Sequence, residues 1–465
     1  MRDLLAGVME EFKADYLEMR YHAREVTSIS VATDALEQAN STEYTGVGIR
    51  TLVNGAWGFG STSKLDKANL RLAAGDALKA ARVASSNKSQ KITGLAEAKM
   101  AHGRFRVKEN GPLSDVSLEE KMGLVVETEK MVRKKSKSVK SAICHYRELL
   151  DRKIILNTDG ADAEVWEARP ELWVTAVAAE GGKMVSITES DGVAGGWKDL
   201  FRRRSPEEMA EKAAKTSSAL LKAKFPKGEK TTVILDPSMV GLLAHEAFGH
   251  TAEADFVLSG SAAKGKLGKK VASELVTLVD DGQPNIGRCP AGTLMVDDEG
   301  VLARRSVIIE KGIMKSYLFD REIAHIFGLE PRGNARAFEY SDEPLVRMRN
   351  TYVEPGDWKL DEIIGDTRQG YLLVNGFGGQ ADANAEFMFI TQEAYEVRNG
   401  EVGKLLRGVT LSGNAFDVLG SVDAVGRDFD FNMGSGYCGK GQPAKVDGGG
   451  GHIRCKAIVG GRKEG

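Results

Sequence analysis

The sequence predicts an α+β protein in two domains: an N-terminal antiparallel sheet with flanking helices, and a C-terminal, mostly β domain built around one central helix. Up to residue 223, strand-like runs are interspersed with amphipathic helices, whereas strands and turns dominate after residue 230. Between them lies Phe225–Lys230, a polar stretch broken by proline and glycine that indicates a domain edge. With 465 residues the chain is also too long for one ordinary core. We therefore expect domains at 1–225 and 231–465.

The N-terminal domain, residues 1–225, has clear signals for both helices and strands. Apolar residues at helical spacing predict an opening helix over Leu4–Phe12, and Asn54-Gly55 predicts a hairpin turn inside Gly46–Ser61. A capping box at Ser117–Glu120 predicts the start of another helix. Helices are further predicted at 66–84 and 206–223, and strands at 16–33, 139–147, 152–157, 172–179 and 183–188.

The C-terminal domain, residues 231–465, is predicted to be mostly β. Strand-like runs bounded by turn residues favour a curved sheet or partial barrel, with the central helix laid against it. A short helix is expected near Asp320–Phe327, and Asn399-Gly400 predicts a turn after a strand. The predicted strands are 231–235, 302–310, 371–375, 387–398 and 402–411.

Composition excludes several classes of function. Charged residues make up 28% and hydrophobic residues 42% of the chain, as in soluble globular proteins, and the net charge is only −2. A balanced charge without a basic patch argues against direct nucleic-acid binding. No apolar run approaches the roughly eighteen residues that span a bilayer, and the acidic N-terminus is unlike an export signal, so we expect a cytoplasmic protein with no membrane partner. The four cysteines are too scattered for a disulfide framework.

The central helix carries the strongest chemical signal, within Asp236–His250 (DPSMVGLLAHEAFGH). The aspartate–proline pair at its start is typical of a helix N-terminus, and apolar residues at helical spacing follow. Near its end come His245, Glu246 and His250. Two imidazoles beside a carboxylate are what a catalytic zinc requires, because they supply nitrogen ligands and a base for the metal-bound water.

The histidine spacing differs from that of the familiar zinc-protease helix. His-Glu-x-x-His places its histidines four residues apart, whereas His245 and His250 are five apart. At about 100° per residue, a regular helix would put them roughly 140° apart. They can share a metal only if the helix ends or bulges between them, and Gly249 permits either distortion. The alternative is two unrelated histidines, one at a helix end and one in the core.

A glycine-rich stretch near the C-terminus, Gly434–Gly441 (GSGYCGKG), offers a further ligand. It is similar to phosphate-binding loops, but no helix pattern follows, and Gly441 stands where Ser or Thr would reach magnesium, which disfavours a nucleotide site. Cys438 within it is a good zinc ligand as a thiolate. Cys455, in an apolar run, is predicted to be buried. Spacing alone leaves six candidates for the third ligand: Cys438, Glu253, Asp255, Glu274, His325 and His452.

Together these motifs resemble one family, the TldD/PmbA proteins, also described as modulators of DNA gyrase, and within it the TldD-like metalloprotease branch. The PmbA/TldE branch lacks the His-Glu-x-x-x-His motif that this chain has. The chain departs from the family pattern after Cys438 and at Pro331–Arg336. The matching blocks, in the family's order over residues 231–461, are His245–His250 with Thr251–Phe256, Pro331–Arg336, Pro344–Gly356, Gly376–Phe389, Leu411–Asn414, Cys438–Gln442 and Val459–Gly461.

The resemblance implies a zinc-dependent metallopeptidase. His245, His250 and Cys438 match the family's ligands for Zn²⁺, and Glu246 matches its general base, acting on the zinc-bound water. The resemblance also implies a dimer that encloses the active site, made of this chain alone or of this chain with a PmbA/TldE-like paralogue. The block Pro344–Gly356 matches strongly, but its residues reveal no chemical role.

The expected substrates follow from the β-rich domain around the metal. A glycine-rich β domain offers exposed strand edge, so we expect unstructured peptides or partly unfolded polypeptides to bind in extended form by strand addition. Asn334 and Arg336 are candidate donors to the developing oxyanion. The alternative function is a non-hydrolytic peptide-binding or regulatory protein with a structural zinc, which would normally have four protein ligands.

Overall fold

The computed structural model describes residues 1–461 and shows the α+β architecture that the sequence predicts. In the N-terminal half, helices flank a seven-stranded sheet. The helices are α1 (Arg2–Met9), α2 (Lys67–Asn87), α3 (Leu118–Lys135), α4 (Trp197–Leu200) and α5 (Pro206–Leu220), with a 3₁₀ turn at Leu113–Asp115. The strands are β1 (Tyr16–Ala32), β2 (Ala35–Val53), β3 (Ala56–Thr62), β4 (His102–Arg106), β5 (Val139–Asn157), β6 (Asp162–Glu180) and β7 (Lys183–Gly192).

The N-terminal sheet runs in the order β3-β2-β1-β5-β6-β4, and β7 also pairs with β6. Every pair except the parallel β4–β6 is antiparallel. The predicted hairpin turn at Asn54-Gly55 joins β2 to β3, with φ of 47° and 76°, as a type I′ turn requires. The predicted capping box at Ser117 opens α3. These two local predictions are confirmed.

The predicted break inside β5 is wrong. The strands expected at 139–147 and 152–157 form one continuous strand. Glu148 and Asp151, which interrupt the apolar alternation, are buried in ion pairs, with Lys121 at 2.7 Å and Arg24 at 2.5 Å respectively. Because each carboxylate has a buried cationic partner, the strand can continue through these two acidic residues, which are more common in loops than in buried strands.

The C-terminal half is mostly β, with short helices between the strands. Its helices are α6 (Pro237–Leu242), α7 (Ala254–Leu258), α8 (Arg321–Phe327), α9 (Leu360–Gly365) and α10 (Ala415–Gly420). A π-helix at Leu243–Gly249 and a 3₁₀ turn at His250–Ala252 continue α6. Within residues 1–461, no helix combines the length and the apolar content that a membrane span needs.

The strands of this half form a barrel and smaller sheets. They are β8 (Glu229–Leu235), β9 (Leu278–Asp281), β10 (Ser306–Glu310), β11 (Ile313–Met314), β12 (Ala335–Arg336), β13 (Leu345–Val346), β14 (Asn350–Val353), β15 (Gln369–Ala381), β16 (Glu386–Arg398), β17 (Glu401–Leu406), β18 (Val409–Asn414), β19 (Ala424–Val425), β20 (Asp430–Phe431), β21 (Tyr437–Gly439), β22 (Pro443–Lys445), β23 (Asp447–Gly450) and β24 (Ile453–Gly460).

Five of these strands close into a barrel. Strand β15 pairs with β8, β8 with β24, β24 with β18, β18 with β16, and β16 with β15 again. The expected curved sheet or partial barrel is therefore complete. Val233, Leu373 and Phe389 are fully buried in its core together with Met239 and Leu243 of the central helix. The prediction of a helix laid against this β structure is confirmed.

Some elements of this half were not predicted. The helices α7, α9 and α10 are six residues long or shorter, too short to show an apolar period in the sequence. The run 402–411, predicted as one strand, is divided between β17 and β18 near Gly408, whose φ is 61°. The helix expected near Asp320–Phe327 is α8, with Asp320 as its N-cap.

Buried ion pairs join the two halves of the chain. Arg50 of β2 lies 2.7 Å from Glu299, and Lys153 of β5 lies 2.7 Å from Asp298. All four side chains are at most 9% exposed. Because removing one partner of such a pair leaves a buried charge uncompensated, these contacts fix how the N-terminal sheet meets the C-terminal half.

The block Pro344–Gly356 has a structural role. Within it, Arg349 is fully buried and its Nε donates to Asp280 Oδ2 of β9 at 2.8 Å. Its other guanidinium nitrogens donate to the carbonyl oxygens of Arg304, Arg332 and Asp280. One side chain therefore holds β9 together with the segments that contain Arg304 and Arg332.

We predict that Arg349→Met destabilises the protein by about 3–5 kcal/mol, because it leaves the Asp280 carboxylate buried without its cation. Arg398→Met is the matched control: Arg398 is 71% exposed and lies 3.6 Å from Glu396. An exposed pair of this kind contributes less than about 1 kcal/mol. The shift in the urea midpoint of unfolding measures both effects, and equal shifts for the two variants would contradict the prediction.

Candidate metal centre

The central helix begins as the sequence predicts and then changes its hydrogen-bond pattern. The Asp236 carboxylate accepts a hydrogen bond from the Met239 backbone N–H at 2.9 Å, and Pro237 occupies the first turn. These residues start α6, whose side chains are buried throughout except at Pro237. From Leu243 the helix widens to the π form, in which N–H groups bond to carbonyls five residues earlier.

The π-helix brings the two histidines to one side. The backbone N–H of His250 donates to the carbonyl oxygen of His245, five residues earlier. The two imidazole rings then lie 5.2 Å apart between centroids, at 82° to each other. The sequence prediction that the helix must end or bulge between the histidines is confirmed.

Gly249 is required for packing rather than for backbone conformation. Its φ of −55° and ψ of −47° are ordinary helical values that any residue adopts. A Cβ atom at this position would lie 2.2 Å from the sulfur of Met348 and 2.9 Å from the carbonyl oxygen of Ala244. Gly249 therefore permits the distorted turn through its missing Cβ rather than through a positive φ, because a Cβ atom would meet both the carbonyl oxygen of Ala244 in the same turn and the Met348 sulfur.

Cys438 reaches the histidines from a separate hairpin. It lies on β21, opposite Ala444 of β22. The buried Arg347 donates to the carbonyl oxygens of Cys438 at 2.6 Å and of Gln442 at 2.7 Å, which holds this hairpin in place. Cys438 Sγ lies 3.1 Å from His250 Nε2. The ligand atoms of His245, His250 and Cys438 all lie within 4.8 Å of one another.

The unpartnered nitrogens of His245 show that this cluster fits a metal ion. His245 is fully buried, and neither of its ring nitrogens has a hydrogen-bond partner among the described residues. A buried polar group without a partner is costly, so such groups are rare in folded proteins. A cation bound by His245, His250 and Cys438 would give one of these nitrogens a partner. Two imidazoles and a thiolate suit zinc, and three protein ligands are the number typical of a catalytic site.

The charges within the cluster favour a thiolate. Burial raises the pKa of the Cys438 thiol, but the neighbouring His245 and His250 imidazoles outweigh burial and lower this pKa to about 5. Burial also opposes protonation of His250, whereas Cys438 and Glu253 raise its pKa to about 10. The thiol is therefore ionised at neutral pH. A divalent cation would take the place of the imidazole protons, because metal ligation requires neutral imidazole and thiolate.

Glu253 orients the second histidine. The Nδ1–H of His250 donates to Glu253 Oε2 at 2.9 Å, which leaves Nε2 directed at Cys438. A carboxylate behind a ligating histidine fixes the ring and its tautomer. Glu253 was one of six candidates for the third ligand, and the structure places it behind His250 instead. Its position three residues after His250 is the signal in the sequence.

Glu246 faces a groove beside the cluster. Its carboxylate lies 3.5 Å from His250 Nε2, and its side chain is 26% exposed. The groove has a volume of about 290 Å³ and is lined on one side by Glu246, His250 and Phe256, and on the other by 379–383 at the end of β15. The candidate base thus lies where the metal cluster meets open space.

The remaining candidate ligands lie outside the cluster. Asp255 pairs with Lys440, His325 lies beside Thr93, and His452 pairs with Asp428. Glu274 is exposed to solvent. Cys455 is buried in the barrel, as predicted. The glycine-rich stretch Gly434–Gly441 supplies β21 and the start of the turn to β22, so a strand follows it where a phosphate-binding loop would have a helix.

Asn334 and Arg336 do not line the groove, so their proposed role as oxyanion donors is corrected. The Asn334 amide nitrogen donates to Asp280 Oδ2 and to the Arg347 carbonyl oxygen. Arg336 donates to the carbonyl oxygens of Met348 and Lys445. Both side chains are buried, and these donors are engaged by the protein itself. Their role is to support the backbone around the metal cluster.

Sequence reasoning missed two supporting residues, Arg347 and Lys440. Arg347 holds the Cys438 hairpin through its carbonyls, and Lys440 contacts Glu253 at 3.1 Å. No spacing pattern indicated Arg347, because it acts on backbone atoms far away in the chain. Lys440 was noticed only as part of a stretch similar to a phosphate-binding loop.

Comparison with known proteins agrees with the motifs and the fold. Models for the PmbA/TldA metallopeptidase domain 1, central domain and C-terminal domain match residues 17–81, 111–221 and 228–459. The chain is 36% identical over 465 residues to a metalloprotease of Methanothermobacter thermautotrophicus, covering 99% of each chain. It is 30% identical over 454 residues to a zinc metalloprotease TldD homolog of Saccharolobus solfataricus, covering 97% of this chain and 98% of the relative.

A solved structure shows the same fold. The crystal structure of TldE from Thermococcus kodakarensis is similar with a TM-score of 0.79 at 20% identity, covering 99% of each chain. The resemblance that the sequence motifs indicate is confirmed by the family models and by relatives that span the whole chain. The chain therefore belongs to the PmbA/TldA metallopeptidase family.

Proposed function

We propose that this metallopeptidase depends on zinc and hydrolyses unstructured peptides or partly unfolded polypeptides, with Glu246 as its general base. The observation that carries the proposal is the cluster of His245, His250 and Cys438 beside a groove that Glu246 faces. Within residues 1–461, three side chains of the types that bind metals make up this cluster. Three ligands leave one position open, as in catalytic zinc sites.

Different residues of the chain have different roles in the proposed reaction. His245, His250 and Cys438 would hold zinc, which would supply Lewis acidity and would lower the pKa of a bound water. Glu246 accepts a proton from the attacking water and then donates it to the amine nitrogen of the departing peptide. Its partial exposure lets this carboxylate meet a substrate in the groove. Glu253 holds His250 in the orientation that ligation requires.

A free strand edge supports binding of extended substrates. Along 376–381, β15 pairs with β16 on one side. Its pairing with β8 on the other side covers only Tyr371–Leu373, and no other strand within residues 1–461 pairs with that side. Gly379–Ala381 of this segment line the groove beside Glu246. An extended peptide adding to this edge would bind mainly through its backbone, with little dependence on side chains.

We also propose that the working form is a dimer, of this chain alone or with a PmbA/TldE-like paralogue. Phe377, Met388 and Ile390 are 56%, 50% and 50% exposed on neighbouring strands of the barrel. Exposed apolar side chains that lie together often belong to a protein interface.

We predict that wild type and Glu246→Gln each bind about one zinc per chain, whereas only wild type cleaves unstructured peptides. Loss of the general base lowers the rate by about 10²–10⁴, while the ligand set remains complete. Metal analysis and cleavage of a fluorogenic peptide, with and without a chelator, provide the two measurements.

Two cysteine variants control for metal loss. Cys438→Ala removes a ligand and is expected to lose both zinc and activity, whereas Cys455→Ala changes a buried cysteine of the barrel core and keeps zinc. Zinc-loaded wild type that cleaves nothing, even with a paralogue added, would favour a non-hydrolytic peptide-binding protein with a structural zinc. Equal activity of Glu246→Gln and wild type would exclude Glu246 as the base.

We predict that substrate folding controls cleavage. The test uses one disulfide-bonded protein in two forms, native and reduced and alkylated. Both forms have the same sequence, but the backbone is hydrogen-bonded in the native form and free in the alkylated form. Because strand addition needs free backbone groups, the alkylated form should be degraded and the native form spared. Gel electrophoresis over a time course measures both, and preferential cleavage of the native form would refute extended binding.

We predict a dimer in solution, either for the pure chain or after a PmbA/TldE-like paralogue is added. Size-exclusion chromatography with light scattering gives the mass. If Phe377 and Met388 belong to the interface, the double variant Phe377→Ser/Met388→Ser should shift the mass toward the monomer. A monodisperse monomer with full peptidase activity would contradict the dimer.

A further inference from the structure

Lys440 lies where the two metal-binding segments meet, in the loop of the hairpin that carries Cys438. Its Nζ lies 3.1 Å from Glu253 Oε2, 2.8 Å from Asp255 Oδ1 and 2.9 Å from the Val346 carbonyl oxygen. These contacts use all three donors of the ammonium group. Only 11% of the side chain is exposed. A lysine in a stretch similar to a phosphate-binding loop is therefore fully engaged by the protein itself.

The contact with Glu253 connects Lys440 to a metal ligand. Glu253 is fully buried, and the same oxygen, Oε2, accepts from Lys440 Nζ and from His250 Nδ1. His250 Nε2 in turn lies 3.1 Å from Cys438 Sγ. A closed chain of contacts thus runs from the hairpin through Lys440, Glu253 and His250 back to the hairpin at Cys438.

A second set of contacts fixes Lys440 from the other side. Its Nζ lies 4.2 Å from the centre of the Phe256 ring, a cation–π arrangement on the segment that follows the histidines. The hairpin loop is anchored independently, because Gln442 accepts from the Phe338 N–H and donates to the Glu343 carbonyl oxygen. Lys440 therefore extends from a fixed loop, so the position of its charge is well defined.

We propose that Lys440 is a positioning residue for the metal centre, holding Glu253 against His250 and the Cys438 hairpin against the histidine segment. The inference rests on the proposed zinc site. A buried carboxylate keeps its place only while its charge is compensated. Without the ammonium group, Glu253 loses a direct cationic partner and the two ligand-bearing segments lose the side chain that connects them.

The test measures metal binding by the full-length protein. Zinc dissociation constants are determined by competition with a chromophoric chelator for wild type, Lys440→Met, Glu253→Gln and the double variant. We expect each single variant to bind zinc about 10–100-fold more weakly, as found for residues that orient metal ligands. The double variant should bind zinc only slightly more weakly than the single variant with the lower affinity, because both substitutions break the same connection. If the two losses of zinc affinity multiply in the double variant, the inference is overturned.

Cobalt substitution provides a second measurement that does not depend on activity. Because Lys440 holds the hairpin of Cys438, the thiolate-to-cobalt absorption of Lys440→Met should differ from that of wild type. Lys135→Met is the matched control, since Lys135 on α3 also bridges two carboxylates, Glu207 and Glu211, but these lie on α5 of the N-terminal half. Its zinc affinity and cobalt spectrum should equal those of wild type. A wild-type affinity and spectrum in Lys440→Met would overturn the proposal.

Lys440→Arg keeps the test decisive if Lys440→Met does not fold. Lys440→Arg keeps the positive charge but places it on a wider planar group, which cannot make the same three contacts, so this variant should bind zinc measurably more weakly than wild type. When it is combined with Glu253→Gln, the two losses of zinc affinity should not multiply. Multiplicative losses would overturn the proposal. Wild type without zinc would overturn the proposed function and this inference together, whereas zinc-loaded wild type with unaffected variants overturns this inference alone.

Discussion

The geometry of the candidate metal centre depends on one backbone hydrogen bond, which the His250 N–H donates to the His245 carbonyl oxygen. It closes a π-helical turn, and this turn brings two histidines at an unusual spacing to the same side of the helix. π-helical turns occur frequently at functional sites. Here the turn is buried, and Gly249 lets Met348 pack directly against it. Packing around the turn therefore stabilises a backbone form that helix propensity alone would not favour.

The position of Cys438, the proposed third ligand, depends largely on polar contacts, because only a small apolar cluster surrounds it. Cys438 lies on a hairpin of two three-residue strands, too short to be stable alone. Arg347 binds its carbonyls from one side. From the other side Glu171 of the N-terminal sheet accepts from the Tyr437 hydroxyl at 3.0 Å and pairs with Lys445. The N-terminal half thus contributes to the position of the proposed ligand Cys438, although it supplies none of the proposed ligands itself.

Local features of the fold could be predicted from the sequence because neighbouring residues determine them. The turn at Asn54-Gly55, the capping box at Ser117 and the helix start at Asp236 each depend on a few adjacent side chains. Barrel closure could not be predicted, since it depends on the parallel pairing of Val233 with Tyr371, far apart in the chain. Continuous β5 was missed for a related reason: the partners of its buried acids lie on other elements.

The predictions for the candidate site also succeeded where adjacent residues carry the signal and failed where distant contacts decide the role. The pattern around His245 and His250 indicated both a metal and a distorted helix, because the two residues and the distortion share one short segment. Arg336 and Asn334 were assigned to the groove because their polar side chains suggested chemistry, whereas their donors are committed to buried carbonyl and carboxylate oxygens. A buried polar side chain near a site can serve to satisfy buried backbone groups rather than to contact substrate.

Two of the three proposed metal ligands are more deeply buried than the proposed base, whereas His250, with its side chain 21% exposed, lines the groove together with Glu246. His245 is fully buried, Cys438 is 4% exposed, and both are surrounded by protein. Glu246, adjacent to His245 in the chain, is 26% exposed on the wall of the groove. A ligand benefits from burial because surrounding contacts fix its orientation, whereas a base must reach protons on a substrate that enters and leaves. The π-turn satisfies both requirements within two consecutive residues, since one side chain points into the core and the next into the groove.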